Sequence, residues 1–337
     1  MSDDRSDAER RSRLVGLKLR ALVRDHLADE SVGEATSFSP GAALRHGDAA
    51  WVLLDQRPGV MLGAALGWML RSDAPSLHVI AEEATGVLAR RAAEFATPIS
   101  VWHADGRTLL PAVPEPLLAA PSPPAHHDDF RELIVSAGAE PQVEHGVLFG
   151  DVRGLEVCRV VDDRYLGTTR LEVGVGAHDR EAFQLMHGDV PTTESLRRIV
   201  EIVLQHRHPG APQHPLNRLA AERYIRWRVI DDPSIVGATT MEVAQPPLPR
   251  TNLKDPVPCV ATGADAEGRL VIAVCASGVD LDVVPYAADA RLAVEAAAPG
   301  VGGGTRLVLV TPARDQVRVV GELAGLLRRP VELVAVD

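Results

Sequence analysis

Apolar residues along this chain form short unbroken runs that alternate with one-sided helical segments. Such runs indicate strands of a parallel sheet, because the helices between them cover both of its faces. The runs lie at 51–55, 76–81 and 99–103, and again at 270–275, 306–311 and 331–336, with helical segments at 60–70, 85–95, 286–297 and 316–327. The pattern predicts an α/β protein with a Rossmann-like βαβαβ unit at each end.

The two predicted end units share sequence features. Segment 77–81 matches 307–311, segment 98–105 matches 330–337, and Gly59 matches Gly278. Two explanations stay open, namely internal duplication and the general similarity of buried βαβ strands. The two units either share one sheet through a pseudo-twofold axis or form separate domains.

The middle of the chain has a different pattern. A helical segment at 129–137 precedes three strand-like segments at 145–152, 155–161 and 170–175, and helices follow from 192 and at 216–229. The sequence therefore predicts a central α+β segment of order α-β-β-β-α.

Proline-rich stretches separate these parts, because proline disfavours regular core elements. The predicted division is a disordered tail at 1–12, an N-terminal helix plus Rossmann-like unit at 13–110, a linker at 111–127, the central segment at 128–232, a second linker at 233–256 and the C-terminal unit at 257–337.

The composition is typical of a globular protein, with 46% hydrophobic and 24% charged residues among 337. No apolar run reaches the roughly 20 residues of a membrane span, and the first residues lack the apolar stretch of a signal peptide. The three cysteines have neither metal-binding nor redox spacing. We therefore expect a cytoplasmic protein with buried free thiols, and its preference for arginine over lysine indicates a GC-rich bacterial genome.

The formal net charge of −11 disfavours binding to nucleic acid or to acidic membranes. One helix nevertheless carries arginines interleaved with aromatic residues, as phosphate-contacting helices do. These arginines are Arg218, Arg223, Arg226 and Arg228. The alternative, which we favour, is a solvated helix that packs through its apolar side.

Neither of the two standard nucleotide-binding fingerprints is present, so the remaining guide is geometry. In open parallel sheets, ligands bind beyond the carboxyl ends of the strands and near helix N-termini. The residues expected there, which would hold a small anion, are Arg57, Gly59, Ser277, Gly278 and Arg314. In the alternative interpretation, these residues form tight turns and carry surface charge.

Two further groups of residues are candidate metal ligands. Asp280 and Asp282 would face the same side in an extended stretch and bind a divalent cation, although acids also favour a helix start. The histidines form two loose clusters without the spacing of a closed site, so exposed loops are expected. They are His126 and His127 beside Asp128 and Asp129, and His206, His208 and His214.

The element order of the central segment resembles that of the PD-(D/E)xK nucleases. The resemblance implies a metal held by carboxylates on neighbouring strands, with a lysine two residues after one of them. Asp151, Glu156 and Glu172 would supply the carboxylates. The two lysine positions hold cysteine and glycine, so Lys254 is the lysine left for that role.

These features favour a non-catalytic protein that binds, or is regulated by, a small anionic ligand such as a nucleotide. One alternative is metal-dependent nuclease chemistry in the central segment, which would need a divalent metal as cofactor. Another is a scaffold or assembly subunit whose proline-rich linkers act as docking arms. The sequence determines neither the oligomeric state nor whether the chain is an enzyme.

Overall fold

The computed structural model describes residues 2–163, 167–176, 180, 192–212, 214–249, 257–298 and 304–337, with side chains from residue 9. In these residues the chain is α/β, with three sheets and eight α-helices. None of these helices combines the length and the hydropathy needed to cross a membrane. Two compact units are present: unit 1 comprises Met1–Leu117, Val279–Asp289 and Gln316–Val331, and unit 2 comprises Leu118–Gly278, Ala290–Asp315 and Glu332–Asp337.

Unit 1 contains a six-stranded sheet. Its elements are α1 (Ser2–Leu27), β1 (Thr36–Phe38), β2 (Gly41–His46), β3 (Ala49–Leu54), α2 (Leu62–Arg71), β4 (Ser76–Ala81), α3 (Thr85–Ala92), β5 (Ile99–Asp105) and β6 (Thr108–Pro111). Strands β3, β4 and β5 pair in parallel, as predicted. The other neighbouring strands pair antiparallel, in the order β1-β2-β3-β4-β5-β6.

Helix α1 packs on one face of this sheet. Its apolar residues Val15, Leu19 and Leu22 are buried in one cluster with Trp51 and Leu53. The helix begins at Ser2, within the stretch 1–12 for which the sequence predicted a disordered tail. The physical reason is that helix-forming arginine, glutamate and alanine residues continue without proline or glycine up to position 15.

Unit 2 contains the central sheet, in which all neighbouring strands pair antiparallel in the order β10-β9-β8-β7. Its elements are α4 (Arg131–Ser136), β7 (Glu140–Glu144), β8 (Val147–Val152), β9 (Leu155–Asp163), β10 (Thr168–Val173) and α5 (Thr192–His206). Leu196, Val200 and Val203 of α5 are buried in the core of this sheet. The predicted three strands are present, and β7 adds a fourth.

Unit 2 also contains a five-stranded sheet near the C-terminus. Its elements are α6 (Ala221–Asp231), β11 (Thr240–Ala244), β12 (Cys259–Ala264), β13 (Leu270–Cys275), β14 (Arg306–Pro312) and β15 (Glu332–Val336). The helices that follow β13 and β14 are α7 (Val283–Ala297) and α8 (Arg318–Ala324). The stretch 233–256, which we predicted to be a linker, contains strand β11.

The six-stranded and five-stranded sheets repeat one strand order. In each sheet, a three-stranded antiparallel meander leads into parallel pairs, as β1-β2-β3-β4-β5 and as β11-β12-β13-β14-β15. One helix precedes each sheet along the chain and contacts its first strands, α1 in the first case and α6 in the second. Both sheets are therefore mixed, whereas the sequence predicted simple βαβαβ units.

All three cysteines lie in unit 2 and are buried free thiols, as predicted. Cys158 lies in β9, and Cys259 is the direct cross-strand partner of Cys275. Burial raises the pKa of Cys158 to about 12 and that of Cys275 still further, so both stay protonated and unreactive near neutral pH.

Candidate functional site

A polar cleft lies at the carboxyl end of strand β3 in unit 1. Its volume is about 650 Å³, which lies within the range of small-molecule sites. The loop after β3, the turn between β1 and β2, and the N-terminal half of α1 form its walls. The polar side chains that line it are Arg11, Ser12, Ser37, Ser39, Asp55 and Gln56.

Backbone contacts hold two walls of this cleft together. The backbone N–H of Asp55 donates to the Pro40 carbonyl at 3.2 Å, which joins the end of β3 to the turn between β1 and β2. Glycine is required at Gly41, because a Cβ there would lie 1.9 Å from the Leu53 carbonyl oxygen. The sequence Pro40-Gly41 thus lets the turn approach the strand end closely.

The charges in the cleft form one exposed ion pair. The Arg11 guanidinium donates through Nε to Asp55 Oδ2 at 2.9 Å. Arg11 keeps 62% of its side chain exposed, and such exposed pairs contribute little to stability. A ligand can therefore exchange partners with this pair at low cost.

The predicted ligand residues Arg57 and Gly59 follow directly after this cleft in the chain. Arg57 is exposed, has a left-handed backbone conformation with φ of 45°, and makes no ion pair within the described residues. Gly59 has a structural partner, because its carbonyl accepts from Nη1 of the buried Arg91 at 2.8 Å. Arg57 is thus accessible to a ligand, whereas the carbonyl of Gly59 is engaged.

The corresponding loop after β13 in unit 2 is closed by the chain itself. The backbone N–H of Gly278 donates to Asp315 Oδ2 at 2.7 Å, and Arg314 Nε lies 3.7 Å from the other carboxylate oxygen. Ser277 beside them is half-buried. The structure therefore places Gly278 and Arg314 beside the same carboxylate, and this carboxylate of the protein occupies the donor that an external anion would use.

The candidate metal ligands Asp280 and Asp282 do not face one cation. Both carboxylate oxygens of Asp282 are engaged, Oδ1 by the Gly63 N–H at 2.9 Å and Oδ2 by Arg91 Nη1 at 2.7 Å. Asp280 accepts instead from the backbone N–H of Asp282 at 2.9 Å. Burial raises the pKa of Asp282, and the neighbouring Arg91 opposes that shift. In place of the predicted metal site, the structure has an ion pair between Asp282 and Arg91.

Asp282 belongs to a buried ionic cluster in unit 1. Asp289 is fully buried and accepts from Arg90 Nε at 3.0 Å and from Arg91 Nε at 2.7 Å. Arg91 is also fully buried and bridges the two aspartates. These contacts tie α3 to Asp282 and to the N-terminal half of α7, and we assign them a structural role because the protein's own donors engage both carboxylates.

The three carboxylates of the nuclease resemblance do not form a metal-ligand group among the described residues. Glu156 binds Arg159 and Arg180, and Glu172 binds Arg170 and lies 3.6 Å from the same Arg180. An arginine therefore occupies the space between these two acids. The remaining candidate, Lys254, lies outside the described residues.

The surroundings of Asp151 differ from those of Glu156 and Glu172, because Asp151 is buried near several arginines. Its Oδ1 accepts from the Gly154 N–H at 2.7 Å, and its Oδ2 has no hydrogen-bond partner. Burial raises the pKa of Asp151, and Arg226 and Arg223 oppose the shift. The carboxylate thus faces cations of the protein rather than an open metal position.

The arginines of helix α6 do not form a surface for phosphates. Arg223 and Arg226 are 3% and 2% exposed, and both pair with the buried Glu144. Arg228 donates to the carbonyl of Asp337, and Arg218, which lies before α6 in the turn Pro215–Arg218, is the exposed member of the four. Two of the four candidate residues are therefore unavailable to nucleic acid, because their guanidinium groups satisfy an internal carboxylate.

The histidine pair at 126–127 meets a carboxylate that the sequence did not associate with it. Nε2 of His126 lies 2.9 Å from Asp162 Oδ1, and Nε2 of His127 lies 3.1 Å from the same oxygen. Among the described residues, this is the one group of three side chains with metal-binding spacing. The second histidine cluster behaves differently, since the rings of His206 and His214 stack at 3.9 Å.

Comparison of the chain with protein families, with curated proteins and with solved structures gives no match. Function is therefore inferred from the geometry of the cleft and of the histidine group.

Proposed function

We propose that this protein is a non-catalytic α/β binding protein for a small anionic ligand, held in the cleft after strand β3. One observation carries the proposal: the cleft of about 650 Å³ lies beyond the carboxyl end of a strand that pairs in parallel with β4. Ligands of open parallel sheets bind at such strand ends.

The side chains of the cleft favour a ligand of mixed character. Arg11 and the hydroxyls of Ser12, Ser37 and Ser39 donate hydrogen bonds to an anionic group such as a phosphate. Asp55 and Gln56 offer acceptors for hydroxyl or amino groups. A nucleotide or a sugar phosphate carries both kinds of group, so these are the ligand classes that we propose.

We further propose that the two end sheets are Rossmann-like copies that arose by duplication. Their shared strand order supports this, as does a reciprocal contact in unit 1 between segments 94–96 and 326–328, which extend the match of 98–105 with 330–337 at the same offset. Phe95 forms an isolated antiparallel bridge with Leu327. Ala96 N–H donates to Leu326 O at 2.8 Å, and Arg328 N–H donates to Glu94 O at 2.9 Å, so matched positions pair with each other. An experimental structure in which the two sheets do not superpose strand for strand would contradict this proposal.

A thermal-shift experiment tests the ligand proposal. The full-length chain is heated with millimolar ATP, ADP, AMP, a sugar phosphate or inorganic phosphate in turn. At least one ligand is expected to raise the melting temperature by a few degrees, because binding to the folded state alone stabilises it. In Ser37→Ala/Ser39→Ala and in Arg11→Ala, which change side chains that line the cleft, the ligand-induced shift should fall by at least half.

Matched controls separate the cleft from general effects. Ser100 lies exposed in β5 of the same sheet and Arg318 is 92% exposed in α8, so Ser100→Ala and Arg318→Ala should keep the full shift. The proposal is wrong if no ligand shifts the melting temperature, or if the cleft variants respond like the controls.

A further inference from the structure

A second candidate site lies in unit 2, where a short helical turn meets the end of strand β9. The turn Ala125–Phe130 presents His126 and His127 on adjacent positions, and β9 presents Asp162. Oδ1 of Asp162 lies 2.9 Å from His126 Nε2, 3.1 Å from His127 Nε2 and 2.7 Å from the Thr169 hydroxyl. One carboxylate oxygen therefore has two imidazole nitrogens beside it.

His127 is the unusual member of this group. Its side chain is only 6% exposed, and neither ring nitrogen makes a hydrogen bond in the structure. Burying a polar group without a partner destabilises the folded state, because the group loses its hydrogen bonds to water. His127 Nε2 lies 3.1 Å from Asp162 Oδ1, but the angles at the two atoms are not those of a hydrogen bond. A buried imidazole with free nitrogens that faces a carboxylate is suited to a ligand.

The spacing of the three ligand atoms suits a small tetrahedral cation. Bonds of about 2.0 Å to a tetrahedral metal place neighbouring ligand atoms about 3.3 Å apart. The two measured nitrogen–oxygen separations of 2.9 and 3.1 Å need to open by only a few tenths of an ångström. All three ligand atoms already lie within 4.8 Å of one another.

The carboxylate is prepared for this role by its neighbours. The Thr169 hydroxyl donates to Asp162 Oδ1, the same oxygen that both imidazoles approach. Thr169 is the direct cross-strand partner of Asp162 and fixes the orientation of its carboxylate, as residues behind metal ligands commonly do.

We propose that His126, His127 and Asp162 form a binding site for a divalent transition metal of the zinc type. Two imidazoles and one carboxylate match the ligand preference of zinc, whereas calcium requires six to eight oxygen ligands. Water or a small ligand would take the fourth position, because the side chains of His126 and Asp162 are 54% and 44% exposed. The three residues belong to unit 2 and the cleft belongs to unit 1, so neither proposal depends on the other.

Isothermal titration with Zn²⁺ tests the site in the untagged, chelator-treated full-length chain. We expect one bound zinc ion per chain, with affinity weakened about tenfold or more in His126→Ala and in Asp162→Asn. Cobalt(II) is a second probe, and it should give the visible absorption of a four-coordinate ion in the wild type but not in these variants. His126→Ala changes a half-exposed side chain, so it tests the site without disturbing the core.

Two controls retain all three proposed ligands, His126, His127 and Asp162. Asp128→Asn removes an exposed neighbouring acid that pairs with Arg131, and His206→Ala removes the stacked histidine elsewhere in unit 2. Both should bind zinc like the wild type. The proposal is overturned if the wild type binds no zinc, or if His126→Ala and Asp162→Asn bind it as well as the controls do.

Discussion

The six-stranded and five-stranded sheets share one strand order, yet their strand-end loops differ. After β3, the loop opens onto a polar cleft of about 650 Å³. After β13, the Gly278 N–H is already bonded to Asp315. The same strand order thus accompanies an open loop in one sheet and, in the other, a loop that is closed by the protein's own carboxylate.

The helices that follow these strands differ in charge as well. Arg91 in α3 and Asp289 in α7 form a buried ion pair. Counted back from the match of position 98 with 330, the position equivalent to Arg91 holds Leu323, and counted on from the match of Gly59 with Gly278, the position equivalent to Asp289 holds Leu70. One matched pair of positions is therefore charged and the other is apolar. Removing one partner of a buried ion pair lowers stability strongly, because the other charge stays buried without compensation. Mutation of the charged pair therefore tests how much this difference between the two helix pairs matters.

The largest expected effect is that of Asp289→Ala on the stability of unit 1. The change leaves Arg90 and Arg91 buried without their shared carboxylate, which should lower the free energy of unfolding by about 3–5 kcal/mol. Urea unfolding followed by tryptophan fluorescence measures it. Arg318→Ala breaks an exposed pair with Glu322 and should cost less than about 1 kcal/mol. Equal losses in the two variants would show that the buried cluster is not needed for stability.

A second difference between the sheets concerns pH. His78 in β4 stacks on Trp51 with ring centroids 3.9 Å apart and accepts from Trp102 Nε1 at 3.0 Å, whereas the matched residue in β14 is Val308. Burial, with a smaller effect from His26, lowers the pKa of His78 to about 4. Between about pH 6.5 and 4 the unfolded chain binds a proton that the folded chain does not, so this residue lowers stability as the pH falls.

The variant His78→Val should remove that pH dependence. Stability of the wild type relative to the variant should fall by about 2–3 kcal/mol between pH 7 and pH 4. Urea midpoints at a series of pH values measure this difference. His208→Val, at an exposed position, is the matched control and should show no such change. A constant difference between the wild type and His78→Val across that range would show that His78 titrates normally.

The smallest effect is expected at the closed loop after β13. Asp315→Ala removes the acceptor of the Gly278 N–H and should lower the free energy of unfolding by about 1 kcal/mol. Chemical denaturation of the variant beside Asp129→Ala, which changes an exposed acid, measures the contribution of the contact. Unchanged midpoints in both variants would mean that the carboxylate does not close this loop in solution.

The parallel part of both sheets was predictable because its strands are continuous apolar runs. Strands β4 and β13 have the predicted bounds, at Ser76–Ala81 and Leu270–Cys275. Strand β2 was missed because its apolar run, Ala42 to Leu44, is short and lies between glycines in a polar stretch. Its partner is β3, and a pairing of that kind is fixed by packing rather than by local sequence.

The candidate sites were only partly predictable for the same reason. The sequence places Asp55 and Arg57 at a strand end, but nothing local indicates that Arg11 of α1 reaches the same loop. The adjacent histidines were visible as a cluster. Their partner Asp162 was not, because it lies 36 positions away on β9 and its approach depends on the register of the central sheet.

The placement of the cysteines has a practical consequence. Because Cys158, Cys259 and Cys275 are buried in strands of unit 2 and unit 1 contains none, an alkylating reagent can modify the chain only when those strands open. The rate of alkylation, followed by mass spectrometry, therefore measures how often the sheets of unit 2 open under native conditions. The chain thus carries an intrinsic reporter on local unfolding of one half of the molecule.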